Sequence, residues 1–110
     1  MQKEEILFFH NKHLLEGSTT NLIVIKNNNI FLPKGNLYRG ITLEFLLSKI
    51  SKDYRNKFIK FADLESADEI ILVGSGKGVI NVSSIPSIKW FSSSSKMFNR
   101  LLAIYKEQLK

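Results

Sequence analysis

Two segments of this 110-residue chain hold residue types that could do chemistry. The first is Gly74-Ser75-Gly76-Lys77-Gly78, a glycine cluster after an apolar run, where freely turning backbone lets amides converge on an anion. It is not a Walker loop, which needs a Gly five positions before the Gly-Lys pair and a Ser or Thr after it; Ile71 and Gly78 occupy those places. It is not a dinucleotide fingerprint either, because a strand-like segment follows it rather than a helix. A plain tight turn fits the same glycines. The second segment runs from Leu14 to Ile25, where the polar turn Glu16-Gly17-Ser18-Thr19-Thr20-Asn21 places one carboxylate ahead of a buried strand. His10 and His13 lie three apart with no carboxylate at ligand spacing, so they read as surface histidines and no metal site is expected.

The elements that must position these segments follow from local pattern. Glu5 to Phe9 and the β-branched run Leu22 to Lys26 read as strands, and Asn27 to Asn29 as the hairpin turn that returns Ile30 and Phe31 antiparallel before Pro33 and Gly35 break the ladder. Thr42 opens an N-capped helix to about Ser51, with Glu44 in its first turn and Phe45, Leu46 and Ile50 on one face. Lys57 to Phe61 reads as a brief strand and Asp63 to Ala67 as one helical turn. Glu69 to Val73 is a buried strand ending at the glycines, and Val79 to Ile85 extends until Pro86 turns the chain and Ile88 to Phe91 pairs back. The serines at 92–95 link to, and cap, a closing amphipathic helix with Phe98, Leu101, Leu102, Tyr105 and Leu109 facing the sheet. The fold class expected is α+β: one domain over residues 1–110, a mixed sheet with two substantial helices and one short one.

Composition narrows the class of function. The chain is 44% hydrophobic and 24% charged, which excludes disorder, and a domain of this length buries roughly 65% of its unfolded surface. Sixteen Lys and Arg against ten Asp and Glu give a net charge of +6, but the cations are scattered among acids, so no nucleic-acid face is expected. No apolar run approaches the ~20 residues of a membrane span. Absence of cysteine removes disulfides, thiolate metal sites and a Cys nucleophile, and a cytoplasmic setting is expected.

Three segments, in order and spacing, resemble the class IV aminotransferases, the pyridoxal-phosphate enzymes of fold type IV. Glu16-Gly17-Ser18-Thr19-Thr20-Asn21 resembles the family's Glu-Gly-Ser-x-x-Asn signature. Leu37-Tyr38-Arg39-Gly40-Ile41-Thr42 resembles its Leu-x-Gly-Ile-Thr turn before a helix, and Ala67-Asp68-Glu69 through Gly74-Ser75 its Ala-Asp-Glu-strand-Gly-Thr loop. The resemblance implies part of the large C-terminal domain of such enzymes, with pyridoxal 5′-phosphate as cofactor and a small-molecule amino compound as substrate. It implies that Glu16 keeps the cofactor's pyridine nitrogen protonated and that Asn21 supports the strand-turn. Backbone N–H groups of Ile41 and Thr42 at a helix start would receive the phosphate, as would Ser75 and Gly76. Gly76-Lys77-Gly78-Val79 is similar to the basic-Gly pattern of the aminodeoxychorismate-lyase branch, which implies Lys77 as a substrate-carboxylate contact and an activity in 4-aminobenzoate and folate synthesis. The alternatives are a branched-chain or D-amino-acid aminotransferase and a non-enzymatic anion-binding module.

The sequence departs from the family pattern at Leu43, where an Arg often follows Ile-Thr, and at Asn81, where the family has Pro. The family's Schiff-base lysine lies several tens of residues before its Glu-Gly-Ser motif; Lys3 and Lys12 are too close to Glu16, so no catalytic residue is assigned. The N-terminal domain and the lysine segment are expected to lie outside this chain, with a homo-oligomer or association with a missing N-terminal half as the partner.

Overall fold

The computed structural model describes residues 7–10, 13–17, 21–34, 40–50, 53–74 and 78–108, and for residues 7–10, 13–17, Ile41 and Ser87 it describes the backbone alone. Its core is a five-stranded mixed sheet in the order β5-β4-β3-β7-β8, built from β3 (Asn21–Lys26), β4 (Asn29–Pro33), β5 (Tyr54–Lys57), β7 (Glu69–Gly74) and β8 (Gly78–Val82). All neighbours are antiparallel except β4 and β5, which run parallel. β1 (Leu7–His10), β2 (His13–Gly17) and β6 (Ile59–Lys60) form a three-stranded antiparallel sheet, and β9 (Ser84–Ile85) pairs with β10 (Trp90–Phe91). Among the described residues three α-helices pack with these sheets: α1 (Ile41–Lys49), α2 (Phe61–Glu65) and α3 (Lys96–Gln108). The α+β class expected from the sequence is what forms.

The centre of the sheet explains the unbroken apolar runs. β3 and β7 pair with Leu22 opposite Leu72 and Ile23 opposite Ile71, and both strands are covered on both faces. Because side chains alternate, Ile23, Ile25, Ile71 and Val73 pack with Leu43 and Leu46 of α1 and with Met97 and Leu101 of α3. Leu22, Val24, Ile70 and Leu72 pack on the other face with Ile59, Leu64, Ile85 and Trp90. Trp90 donates its indole N–H to the Ala67 carbonyl at 2.9 Å, so its buried polar atom is satisfied.

The hairpin between β3 and β4 turns at Asn27 and Asn28, whose φ values of 51° and 67° are the two positive angles that a two-residue type I′ turn requires. Several boundaries differ from those read in the sequence. The expected strand over 57–61 is two strands, β5 and β6, and Phe61 already begins α2. The helix starts there because Asp63 accepts the Lys60 N–H at 2.8 Å and so closes the first turn. The expected strand from Val79 to Ile85 breaks at Ser83 into β8 and β9, and a 3-10 turn over Pro86–Ile88 then brings Trp90 back against Ile85. Of the expected first strand, Glu5 and Ile6 lie outside the described residues, as do Gly35 and Leu109.

Candidate functional site at one end of the central sheet

Asn21, Gly40 and Gly74 come from the three motif segments, and they meet at one end of the central sheet. Asn21 opens β3, pairs in register with Val73, and is 9% exposed. Its side-chain carbonyl accepts the N–H of Gly40 at 2.9 Å. Gly74 closes β7 next to Val73, the register partner of Asn21, and pairs with Gly78 of β8. Ser75, Gly76 and Lys77 lie outside the described residues, as do Leu37, Tyr38 and Arg39. Glu16 is the penultimate residue of β2, which pairs with β1 on one side and β6 on the other; its backbone is placed and its side chain is outside the description. His10 and His13 pair with each other at the end of the β1–β2 ladder.

The start of α1 corrects the expectation that Thr42 caps it. Gly40 is the N-cap, in extended conformation (φ −69°, ψ 161°), and its carbonyl accepts the Glu44 N–H at 3.1 Å. Ile41 and Thr42 are therefore the first two residues inside the helix. The cap sits ahead of the position the threonine suggests because Asn21 holds Gly40 from the sheet side. The N-cap glycine brings no side chain to cap this end. First-turn N–H groups have no acceptor within their own helix, and those of Ile41 and Thr42 stand at this start of α1. That arrangement suits a phosphate dianion, and the residues present fit a phosphorylated cofactor.

Ala67-Asp68-Glu69 has a different part. It sits at the opposite end of β7, with Glu69 paired to Ile25, four register pairs from Val73 and so about 13 Å away along the strand. Asp68 accepts the Asn27 N–H at 2.8 Å and the Ser93 hydroxyl at 3.3 Å, while its own N–H donates to Ile25 at 2.7 Å. Glu69, 1% exposed, accepts the N–H groups of Met97 at 3.0 Å and Phe98 at 2.9 Å. The serines were expected to cap α3; Ser94 accepts the Lys96 N–H at 3.2 Å and Ser95 contributes its carbonyl to Asn99, but the amides of Met97 and Phe98 go to Glu69. A buried acid at the start of a strand was the available signal for this role, and its partner lies 28 residues away.

Gly78 was also underread. Its φ of +78° favours glycine, and a Cβ there would lie 2.9 Å from Cε2 of Tyr105, so α3 packs directly on the strand that leaves the glycine turn. A groove of about 570 Å³ between α1 and α3, lined by Phe45, Lys49 and Ile104, lies apart from Asn21 and Gly40. Among the described residues no group of His, Asp and Glu is placed to hold a metal ion, and no helix is long and apolar enough to cross a membrane.

Comparison with solved structures finds the same fold. A protein from Legionella pneumophila designated a 4-amino-4-deoxychorismate lyase is 25% identical, with a TM-score of 0.81 over 92% of this chain and 40% of its own. The 4-amino-4-deoxychorismate lyase of Pseudomonas aeruginosa is 20% identical, with a TM-score of 0.83 over 96% of this chain and 41% of its own. The branched-chain amino acid aminotransferase of Escherichia coli is 22% identical, with a TM-score of 0.72 over 83% of this chain and 33% of its own. The chain thus spans about 40% of the length of the first of these structures. No curated protein sequence matches. The sequence model of the amino-transferase class IV family matches residues 1–85, most of the chain and all three motif segments. With the family model matching most of the chain and the fold shared with these enzymes, the chain belongs to the class IV aminotransferase family, whose members depend on pyridoxal phosphate.

Proposed function

We propose that this chain forms the pyridoxal-phosphate-binding part of a class IV enzyme acting on a small amino compound, most like aminodeoxychorismate lyase. The observation that carries the reading is the meeting of Asn21, Gly40 and Gly74. Their segments are far apart in sequence and share one end of the sheet. In this reading the N–H groups of Ile41 and Thr42, together with Ser75 and Gly76, hold the phosphate. The Glu16 carboxylate accepts a hydrogen bond from the ring nitrogen and holds the proton there. Lys77 meets a substrate carboxylate. When bound, the cofactor supplies an electron sink for a carbanion formed on the substrate. No lysine of this chain is assigned the family's covalent role.

The lyase assignment rests on Gly76-Lys77-Gly78-Val79 and on the likeness to the lyase structures; an aminotransferase is the competing outcome. The test is a spectroscopic titration of the chain with pyridoxal 5′-phosphate, followed by borohydride reduction and peptide mapping. Weak, saturable binding that Glu16→Gln diminishes, with no adduct fixed on a single lysine, is expected. Stoichiometric fixation on one lysine such as Lys77, or binding that ignores Glu16→Gln, overturns the reading.

A further inference from the structure

On the face of the sheet that α1 does not cover, a cavity of about 160 Å³ opens beside the β3–β4 ladder, lined by Val24, Lys26, Phe31, Lys57, Ile59 and Asp63. It is separate from the end where Asn21 and Gly40 meet. Val24 stands three residues along β3 from Asn21, about 10 Å away, and its side chain points to the opposite face. The floor is apolar: Val24 is 2% exposed and Ile59 1%, and Val24 faces Phe31 in register. Two ammonium groups flank it, each held by a side chain of α2 or of its C-cap, Ser66. Lys57 lies 2.9 Å from Asp63 and 5.5 Å from the centre of the Phe31 ring, and Lys26 donates to Ser66 at 3.1 Å. Those partners are themselves fixed, Asp63 by the Lys60 N–H at 2.8 Å and Ser66 by the Ala62 carbonyl at 3.0 Å.

An ammonium carries three N–H donors, and these hydrogen bonds use one on each lysine, so both keep donors for a further acceptor. Two ammonium groups and one carboxylate leave a single net positive charge, which a monoanion balances and a dianion overshoots. Asp63 does not repel that anion unopposed, because Lys57 and the Lys60 N–H both engage it. Size selects the rest of the ligand: a cavity of about 150 Å³ is enough for a benzene ring, and an apolar floor favours a ring over a hydrated ion. We propose that this cavity binds an aromatic monocarboxylate of benzoate size, its ring on Val24, Phe31 and Ile59 and its carboxylate on Lys26 and Lys57. The site stands independently of the cofactor reading above.

The test is a titration of the 110-residue chain with benzoate, with neutral benzamide and with inorganic phosphate, read by NMR at the methyl groups of Val24 and Ile59. Benzoate should shift both sets of methyls saturably, benzamide should bind about tenfold more weakly for want of the charge-assisted hydrogen bonds, and phosphate should leave them unmoved. Lys57→Met and Lys26→Met keep the apolar stems and remove one charge each, and each should weaken benzoate about tenfold. Lys26→Met breaks only an exposed contact with Ser66, so it keeps the test valid if loss of the Lys57–Asp63 pair disturbs α2. Lys49→Met, in the groove between α1 and α3, should change nothing. The proposal is overturned by the absence of a saturable benzoate shift at Val24 and Ile59, by equal binding of benzamide, by phosphate displacing benzoate, or by Lys26→Met binding like wild type.

Discussion

Glu69 and Phe98 are 29 residues apart in sequence, and the buried Glu69 carboxylate accepts the Phe98 backbone N–H at 2.9 Å. Together with Met97, this joins the start of a central strand to the start of the last helix. A negative group at a helix N-terminus is favoured by both the unpaired donors and the helix dipole, and burial strengthens the interaction. Glu69→Ala should lower folding stability by about 3 kcal/mol, the value of two hydrogen bonds to a charged group in a buried site. Glu69→Gln, which keeps one acceptor oxygen but sets an NH2 group against a donor, should cost about half as much. Urea denaturation followed by circular dichroism checks both, and equal stability of all three proteins would contradict the capping role.

Gly78→Ala should destabilise by about 2 kcal/mol, because the added Cβ meets the Tyr105 ring and because φ of +78° strains any other residue. In a Tyr105→Leu background the steric part should disappear and the backbone part remain. A double-mutant cycle by thermal melting separates the two.

Asp63 gives a pH dependence with a definite sign. Burial raises its pKa, but the Lys60 N–H and the Lys57 ammonium, 2.9 Å away, outweigh that and hold the carboxyl below its ordinary value. A carboxylate lowered on folding contributes stability above its unfolded pKa of about 3.9 and loses it as pH falls through the lower folded value. Both side chains are partly exposed, so the contribution is below about 1 kcal/mol. Asp63→Asn should therefore be slightly less stable than wild type at pH 7, with the gap closing below about pH 4. Denaturation at a series of pH values reads this directly.

Glu16 and Lys77 should separate kinetically once this chain is joined to a segment bearing the family's lysine. Glu16→Gln should lower kcat and kcat/KM alike, since ring protonation matters most in the carbanion-like transition state. Lys77→Ala should instead raise KM by the equivalent of ~1.5–3 kcal/mol, the loss of one charge-assisted hydrogen bond to the substrate. An unchanged kcat for Glu16→Gln overturns the assignment of Glu16 to the cofactor's ring nitrogen.

Where short-range physics decides, the sequence was sufficient. Two asparagines that tolerate positive φ made the β3–β4 turn, β-branched runs made β3 and β7, and helical spacing of Phe98, Leu101 and Tyr105 made α3. The order of three short motifs was enough to identify the family. Contacts between distant segments were not legible, because no local pattern encodes which edge a strand chooses or which amide a buried oxygen will face. The parallel pairing of β5 with β4, the division of Val79 to Ile85 at Ser83, and the capping of α3 by Glu69 rather than by serines alone were decided by the assembled sheet. Thr42 looked like a cap because local propensity favours threonine there; Asn21, reaching Gly40 from β3, moved the cap from Thr42 back to Gly40. The motif residues were thus written in the sequence, and tertiary pairing sorted them into those that meet at the candidate site and those, such as Asp68 and Glu69, that hold the far end of the sheet together.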